Sequence, residues 1–309
     1  MKNISALFIS LVLVFFLADC DASQAGKSEQ TGEEENSETA VSKKDKKQNK
    51  GKKEKEPVSP EVTILKTWNM PPLLKEISGI AYLDKDRFAC VQDEDGIIYI
   101  YNTKTSKLEQ EVSFGGTGDY EGVAVAGNSA YVIRSDGKLF GVSNINDKNP
   151  KISEYTTGLT AKNDVEGLTY DQRNNRLLLA IKGSETGDKD YKGIYAFDLS
   201  TKKLLPEPVY RLNLTDPVFA NSSGKNLNSV VHPSEVAVNP VNGDIYIIDT
   251  HPQLLILNAQ GAIQTRYVLS NKEFEQPEGM AFKPNGELYI SNESRKETGN
   301  ILQVKVDRK

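Results

Sequence analysis

Glu121-Gly122-Val123-Ala124-Val125 is the stretch on which the reading of this chain turns. An acidic residue, a glycine and an alternating apolar run follow one another, and the phrase returns. It recurs as Glu166-Gly167-Leu168-Thr169-Tyr170 and as Glu278-Gly279-Met280-Ala281-Phe282. Two variants complete the set, Ser78-Gly79-Ile80-Ala81-Tyr82 and Glu235-Val236-Ala237-Val238. Placing Gly79, Gly122, Gly167, Val236 and Gly279 in register gives spacings of 43, 45, 69 and 43 residues. Self-similarity at a period near 40–45, with several short strands per repeat, is the signature of a propeller blade.

Each repeat reads outward from its phrase as strand, turn, strand, loop, strand. In the last, Glu278 to Phe282 is followed by the turn Lys283-Pro284-Asn285-Gly286, then by Glu287 to Ser291 and Ile301 to Val306. In the fourth, Pro240-Val241-Asn242-Gly243 takes the place of the turn. Asn-Gly between alternating apolar runs is a strong hairpin signal. No segment of comparable length has helical periodicity, so the fold is all-β. Five repeats predict a five-bladed β-propeller, with six blades the alternative. The surplus in the spacing of 69 has loop composition around Leu214 to Val231, and an excursion over one face is expected there. The strand 61–68 is spare, and is expected to complete the last blade and close the ring.

The chain divides into a segment 1–20, a linker 21–57 and the propeller, 58–309. Ile4 to Leu17 is nearly continuous apolar sequence behind Lys2, the length of a signal-peptide core. It ends Leu17-Ala18-Asp19-Cys20, which resembles the lipobox of bacterial lipoproteins, with Asp19 standing where Gly, Ala or Ser is preferred. That resemblance implies acylation of Cys20; the alternative is a secretory signal cleaved elsewhere. Residues 21–57 are low in apolar content, acidic first (GEEENSE) and lysine-rich later (KKDKKQNKGKKEKE), and are expected to be a solvated tether. The whole chain carries a net charge of −5, and that mild acidity leaves no footprint for nucleic acid. Two cysteines, Cys20 and Cys90, exclude a disulfide framework, so a packed core must hold the fold.

Three stretches, ISGIAYLDKDRFACVQDEDG, GDYEGVAVAGNSAYVIRSDGKLF and QPEGMAFKPNGELYISNE, resemble the SdiA-regulated family of bacterial propellers, distantly related to NHL repeats. The resemblance implies a five-bladed propeller, a calcium site and an export signal or membrane anchor. It implies no particular reaction.

Propeller topology brings two sets of residues to one face. Those at the start of the innermost strands are Glu76, Asp119, Glu121, Asp164, Glu166, His232, Glu235, Gln276 and Glu278. Those at the end of the second strands are Asp93, Glu94, Asp136, Asp249, Asn292 and Glu293. Carboxylates crowded at a channel mouth repel one another, and a hard divalent cation relieves that cost with oxygen ligands. Glu121, Glu166, Glu235, Glu278, Asp93, Glu94, Asp249, Asn292 and Glu293 are therefore candidate calcium ligands. The alternative is that the inner-strand glutamates cap backbone amides of neighbouring strands; both can hold within one ring. The two histidines, His232 and His251, both belong to the fourth repeat. The fold is similar to six-bladed calcium-dependent lactonases and esterases that use histidine as base, which makes this pair the catalytic candidates. The expected protein is a monomeric, lipid-anchored, calcium-binding envelope module, facing the periplasm or the surface. It recognises a ligand or an envelope protein; a calcium-dependent hydrolase is the alternative. Elbow, zincin, P-loop and Rossmann signatures do not occur.

Overall fold

A computed structural model describes residues 56–185, 187, 189–220, 229–294 and 298–308. The expected signal segment 1–20, most of the linker 21–57 and the lipidation candidate Cys20 lie outside these residues. Glu56, assigned to the linker, pairs through both carboxylate oxygens with Arg266, at 2.7 and 3.1 Å.

Five antiparallel sheets form five blades. Blade 1 runs Ile77–Asp84, Arg87–Gln92, Ile97–Asn102, Lys107–Ser113. Blade 2 runs Tyr120–Ala126, Ser129–Arg134, Lys138–Ser143, Lys151–Thr156. Blade 3 has Val165–Asp171, Arg176–Ile181 and Tyr191–Asp198, and its outer edge is shared by two short strands, Lys203–Leu204 and Tyr210–Asn213. Blade 4 runs Pro233–Val238, Ile245–Asp249, Gln253–Leu257, Ile263–Val268. Blade 5 takes Pro277–Phe282, Leu288–Asn292 and Asn300–Val306 from the end of the chain and Val62–Asn69 from near its start. The closing strand is therefore the expected one, and Trp68 fastens it to the next blade by donating from Nε1 to the Thr103 carbonyl at 2.6 Å.

The core is five seams rather than one centre. Each pair of neighbouring blades encloses its own apolar cluster, such as Ile98, Ile100, Val123 and Val132 between blades 1 and 2. Trp68, Ile80, Phe88 and Tyr289 do the same between blades 5 and 1. Alternation along each strand supplies one side chain to each seam. Cys90, a free and buried thiol, belongs to the last of these clusters. The expected surface excursion in blade 3 is different in its described part. Leu214, Phe219 and Val231 are buried between blades 3 and 4, where burying their apolar area outweighs exposing it.

Every inner strand carries a bulge near its start. The residues passed over by the pairing register are Ser78, Glu121, Glu166, Ser234 and Glu278. This corrects the sequence register of the fourth repeat by one residue. Ser234, not Glu235, is the counterpart of Glu121, and Glu235 stands where the other blades have glycine. Val236 is the counterpart of Val123, not of a glycine.

At that level the inner strands touch backbone to backbone. A Cβ on Gly122 would come within 2.7 Å of the Glu166 carbonyl, one on Gly167 within 2.8 Å of Val236 N, and one on Gly279 within 2.8 Å of Ile80 N. The glycines form a waist around the axis because no side chain fits between the strands. Gly122→Ala is expected to cost about 1–3 kcal/mol through overpacking, read as a lower urea midpoint. Gly116→Ala, where a Cβ meets nothing within 4 Å, is the control. An unchanged midpoint for Gly122→Ala would remove the waist as a packing constraint.

Candidate functional site at the acidic channel mouth

The bulge projects one polar side chain per blade just above the waist. Its residues are of two kinds. Ser78 and Ser234 lock blade to blade: Ser78 Oγ donates to the Tyr120 carbonyl and Ser234 Oγ to the Pro277 carbonyl, each at 2.7 Å. Both acceptors are the first residue of the next inner strand. Glu121, Glu166 and Glu278 occupy the other three positions as acids, with Glu166 and Glu278 only 5% and 7% exposed.

Burial and mutual repulsion raise the proton affinity of all three. Glu278 is pushed up to about 8, by burial first and then by Glu166, against the pull of Lys182. Glu121 is raised by burial first, then by the charges of Glu166, Asp119 and Glu278. Glu166 is raised by burial even though Lys182 Nζ donates to its Oε1 at 3.0 Å. Burial pulls the Lys182 ammonium down, and Glu166 more than offsets this, so it stays charged. The ammonium thus contacts Glu166 and acts on Glu278 through its charge.

Glu235 is buried completely and does something else. Its Oε1 accepts from Leu168 N of blade 3 at 2.7 Å and from Val236 N of its own strand at 2.8 Å. These amides face the axis, where no further strand can accept them. Glu235 is the amide cap weighed against ligation in the sequence, built into the waist. Its Oε2 has no hydrogen-bond partner. Burial raises its proton affinity well above the ordinary carboxylate range, against the two amides and with help from Glu166 and Glu278, so the neutral acid is the favoured form.

The second set of candidates divides likewise. Both oxygens of Asp249 are engaged, by His232 N at 2.8 Å, His251 N at 2.7 Å and Gln253 Nε2 at 2.7 Å. Asp136 pairs with Arg134 at 2.6 Å. Glu293 accepts from Gln276, and Glu94 N donates to the Gln92 side chain at 2.6 Å. Asp93 Oδ1 and Asn292 Oδ1 are buried without a hydrogen-bond partner. Burial, then Glu76, raises Asp93. His232 and His251 stand with ring centroids 5.1 Å apart. Burial lowers His232, against the pull of Asp249 and with help from His251, Lys192 and Lys182. His251 is raised by its hydrogen bond to Asp249. Among the described residues, no group of three or more His, Cys, Asp or Glu side chains converges closely enough to hold a metal by those side chains alone.

The SdiA-regulated family matches residues 61–294, from the closing strand to the last blade. The chain belongs to the SdiA-regulated family. No curated protein sequence matches it. Among solved structures, this family member is similar to glutaminyl cyclase from Myxococcus xanthus, with a TM-score of 0.54, 15% identity, and coverage of 80% of this chain and 96% of the other. It is similar also to PQQ-bound aldose sugar dehydrogenase from Streptomyces coelicolor, with a TM-score of 0.50, 14% identity, and coverage of 81% and 99%. At such identity the likeness is one of propeller fold alone.

Two outcomes are expected of this SdiA-regulated propeller. Glu235→Gln keeps an oxygen for both amides and stays within about 1 kcal/mol of the parent, while Glu235→Ala strands two buried amides and costs about 2–5 kcal/mol. Equal losses in urea titrations would contradict the capping role. Separately, carboxyls raised in the folded state hold protons that the unfolded chain releases. Their stabilisation is complete below the ordinary value of 4.5 and is lost as pH rises through the about 8 of Glu278. Metal-free protein is thus expected to show a falling urea midpoint from pH 5 to 9, flattened by Glu278→Gln; a flat parent profile would contradict it.

Proposed function

We propose that this chain is an envelope-tethered binding module whose acidic mouth takes a divalent cation and presents it to a ligand or partner protein. The observation that carries the reading is that the bulges set Glu121, Glu166 and Glu278 at one position of three inner strands, where the buried acids repel one another. A cation among these acids would relieve the repulsion that protonation otherwise relieves. The donors are hard oxygens, which suit calcium, and calcium completes its six to eight ligands from carbonyls and water as well as carboxylates. Asp119 and Glu121 would hold it, with Glu278 nearby. When bound, it would supply positive charge at the mouth; the chain's own part is to hold the acids together through the inner-strand bulges. The apolar run Ile4 to Leu17, ending at Cys20, supports the tether and a lipid anchor at the bacterial envelope.

A hydrolase stands second, favoured by His232, whose proton affinity burial lowers and whose ring lies 5.1 Å from that of His251. A neutral imidazole is the form a general base needs.

Melting curves in EDTA and in millimolar calcium test the first reading. Calcium is expected to raise the melting temperature by several degrees, more at pH 8 than at pH 6 because protons compete for the same carboxylates. Asp119→Asn with Glu121→Gln is expected to abolish the shift. No shift in the parent protein would overturn the reading. Calcium-dependent turnover of lactones or aryl esters that disappears in His232→Ala would put the hydrolase first.

A further inference from the structure

The channel has a second mouth, below the waist, and its chemistry is the reverse of the first. Beyond the glycines the inner strands diverge and their next residues line a funnel of about 490 Å³. All five blades contribute. The wall includes Val123, Val125, Val238, Met280 and Phe282, with Thr169 as a hydroxyl among them. The funnel's volume and apolar wall are those of a small-molecule site, which typically holds about 300–1,000 Å³ and a few placed polar groups.

The placed polar group is Arg173, at the rim. Arg173 Nη1 donates to the Asn242 carbonyl at 3.0 Å, and Nη2 to the Val241 and Pro240 carbonyls at 3.1 and 3.3 Å. Three carbonyls of the neighbouring turn thus fix the guanidinium. The turn is shaped for it: Gly243 has φ +86°, and a Cβ there would collide with Nη1. Three of five N–H groups are used, leaving Nε–H and one Nη1–H. Among the described residues Arg173 has no ion pair, whereas Lys283, on the same face, is neutralised by Asp86 at 3.3 Å. A cation held rigid by neutral acceptors retains its full charge for an anion.

We propose that this funnel binds a small anionic amphiphile, its apolar body against the inner strands and its carboxylate or similar head on Arg173. The charge decides the class: a neutral apolar ligand would leave Arg173 unused, and a strongly hydrated anion would gain nothing from the wall.

The probes are octanoate and octanol, titrated as monomers below micelle formation into the full chain and followed by calorimetry. Octanoate is expected to bind saturably and at least about tenfold more tightly than octanol, the scale of one charge-assisted contact. Arg173→Gln is expected to remove that difference while leaving octanol binding in place, which shows that the funnel survives the change. Thr169→Trp, filling a half-buried position outside the core clusters, is expected to abolish binding of both, with its melting curve confirming the fold. No saturable binding, equal affinity for the two probes, or binding indifferent to Thr169→Trp would each overturn the proposal. So would uptake of anionic vesicles without binding of monomeric octanoate, which would make the face a membrane-contact surface. Chelator is expected to leave octanoate binding unchanged, which keeps this outcome separate from that at the acidic mouth.

Discussion

The close approach of the five inner strands at Gly79, Gly122, Gly167, Gly279 and Glu235 is the constraint on which the rest depends. At the four glycines the strands come near enough for a Cβ to meet the next backbone at 3.0 Å or less, and at the fifth position the Glu235 side chain itself spans the gap to Leu168 N. This fixes how far each blade stands from the axis, and so how its apolar residues meet those of the next blade. It leaves the axial edge of each strand with amides that no further strand can take. Glu235 answers that problem for Leu168 and Val236. Its cost is a buried carboxyl, which the site tolerates by favouring the protonated acid.

The waist also separates two environments that share the same strands. Residues one position before it are displaced by the bulges and turned toward the mouth; residues after it return to regular pairing and to apolar alternation. A chain that repeats acid, glycine and apolar residue in that order therefore builds a charged chamber and an apolar one, back to back. Lys182 sits on the charged side alone, tied to Glu166. Arg173 sits on the apolar side alone, tied to carbonyls. Each cation marks the chemistry its chamber can accept.

Much of this was legible in the residues. The recurrence of Glu-Gly with an apolar run gives the blades, their number and the position of the closing strand, because blade geometry tolerates little at the axis. The fourth repeat misled for a local reason. Glu235 mimics the acid of Glu121 in type, and its turn, Pro240-Val241-Asn242-Gly243, is one residue longer than Pro284-Asn285-Gly286. The signal that resolves it is Pro233, which aligns with Pro277 and moves Ser234 into the acid position. Ser78 and Ser234 then form a matching pair, two locks that each donate to the first carbonyl of the next inner strand, rather than one missing acid.

The apolar funnel was not legible, and the reason is physical. Alternation tells which side of a sheet a residue faces, and Val125, Val238 and Phe282 continue the apolar runs that pack into the seams. What makes a cavity of them is the divergence of the strands below the waist, a matter of twist and of blade number that no single strand records. Arg173 lies in the short turn Gln172–Asn174, and its partners lie 67–69 positions away on another blade. A five-fold ring puts sequence-distant turns side by side. A chemical site made from such turns becomes visible only after the ring is closed.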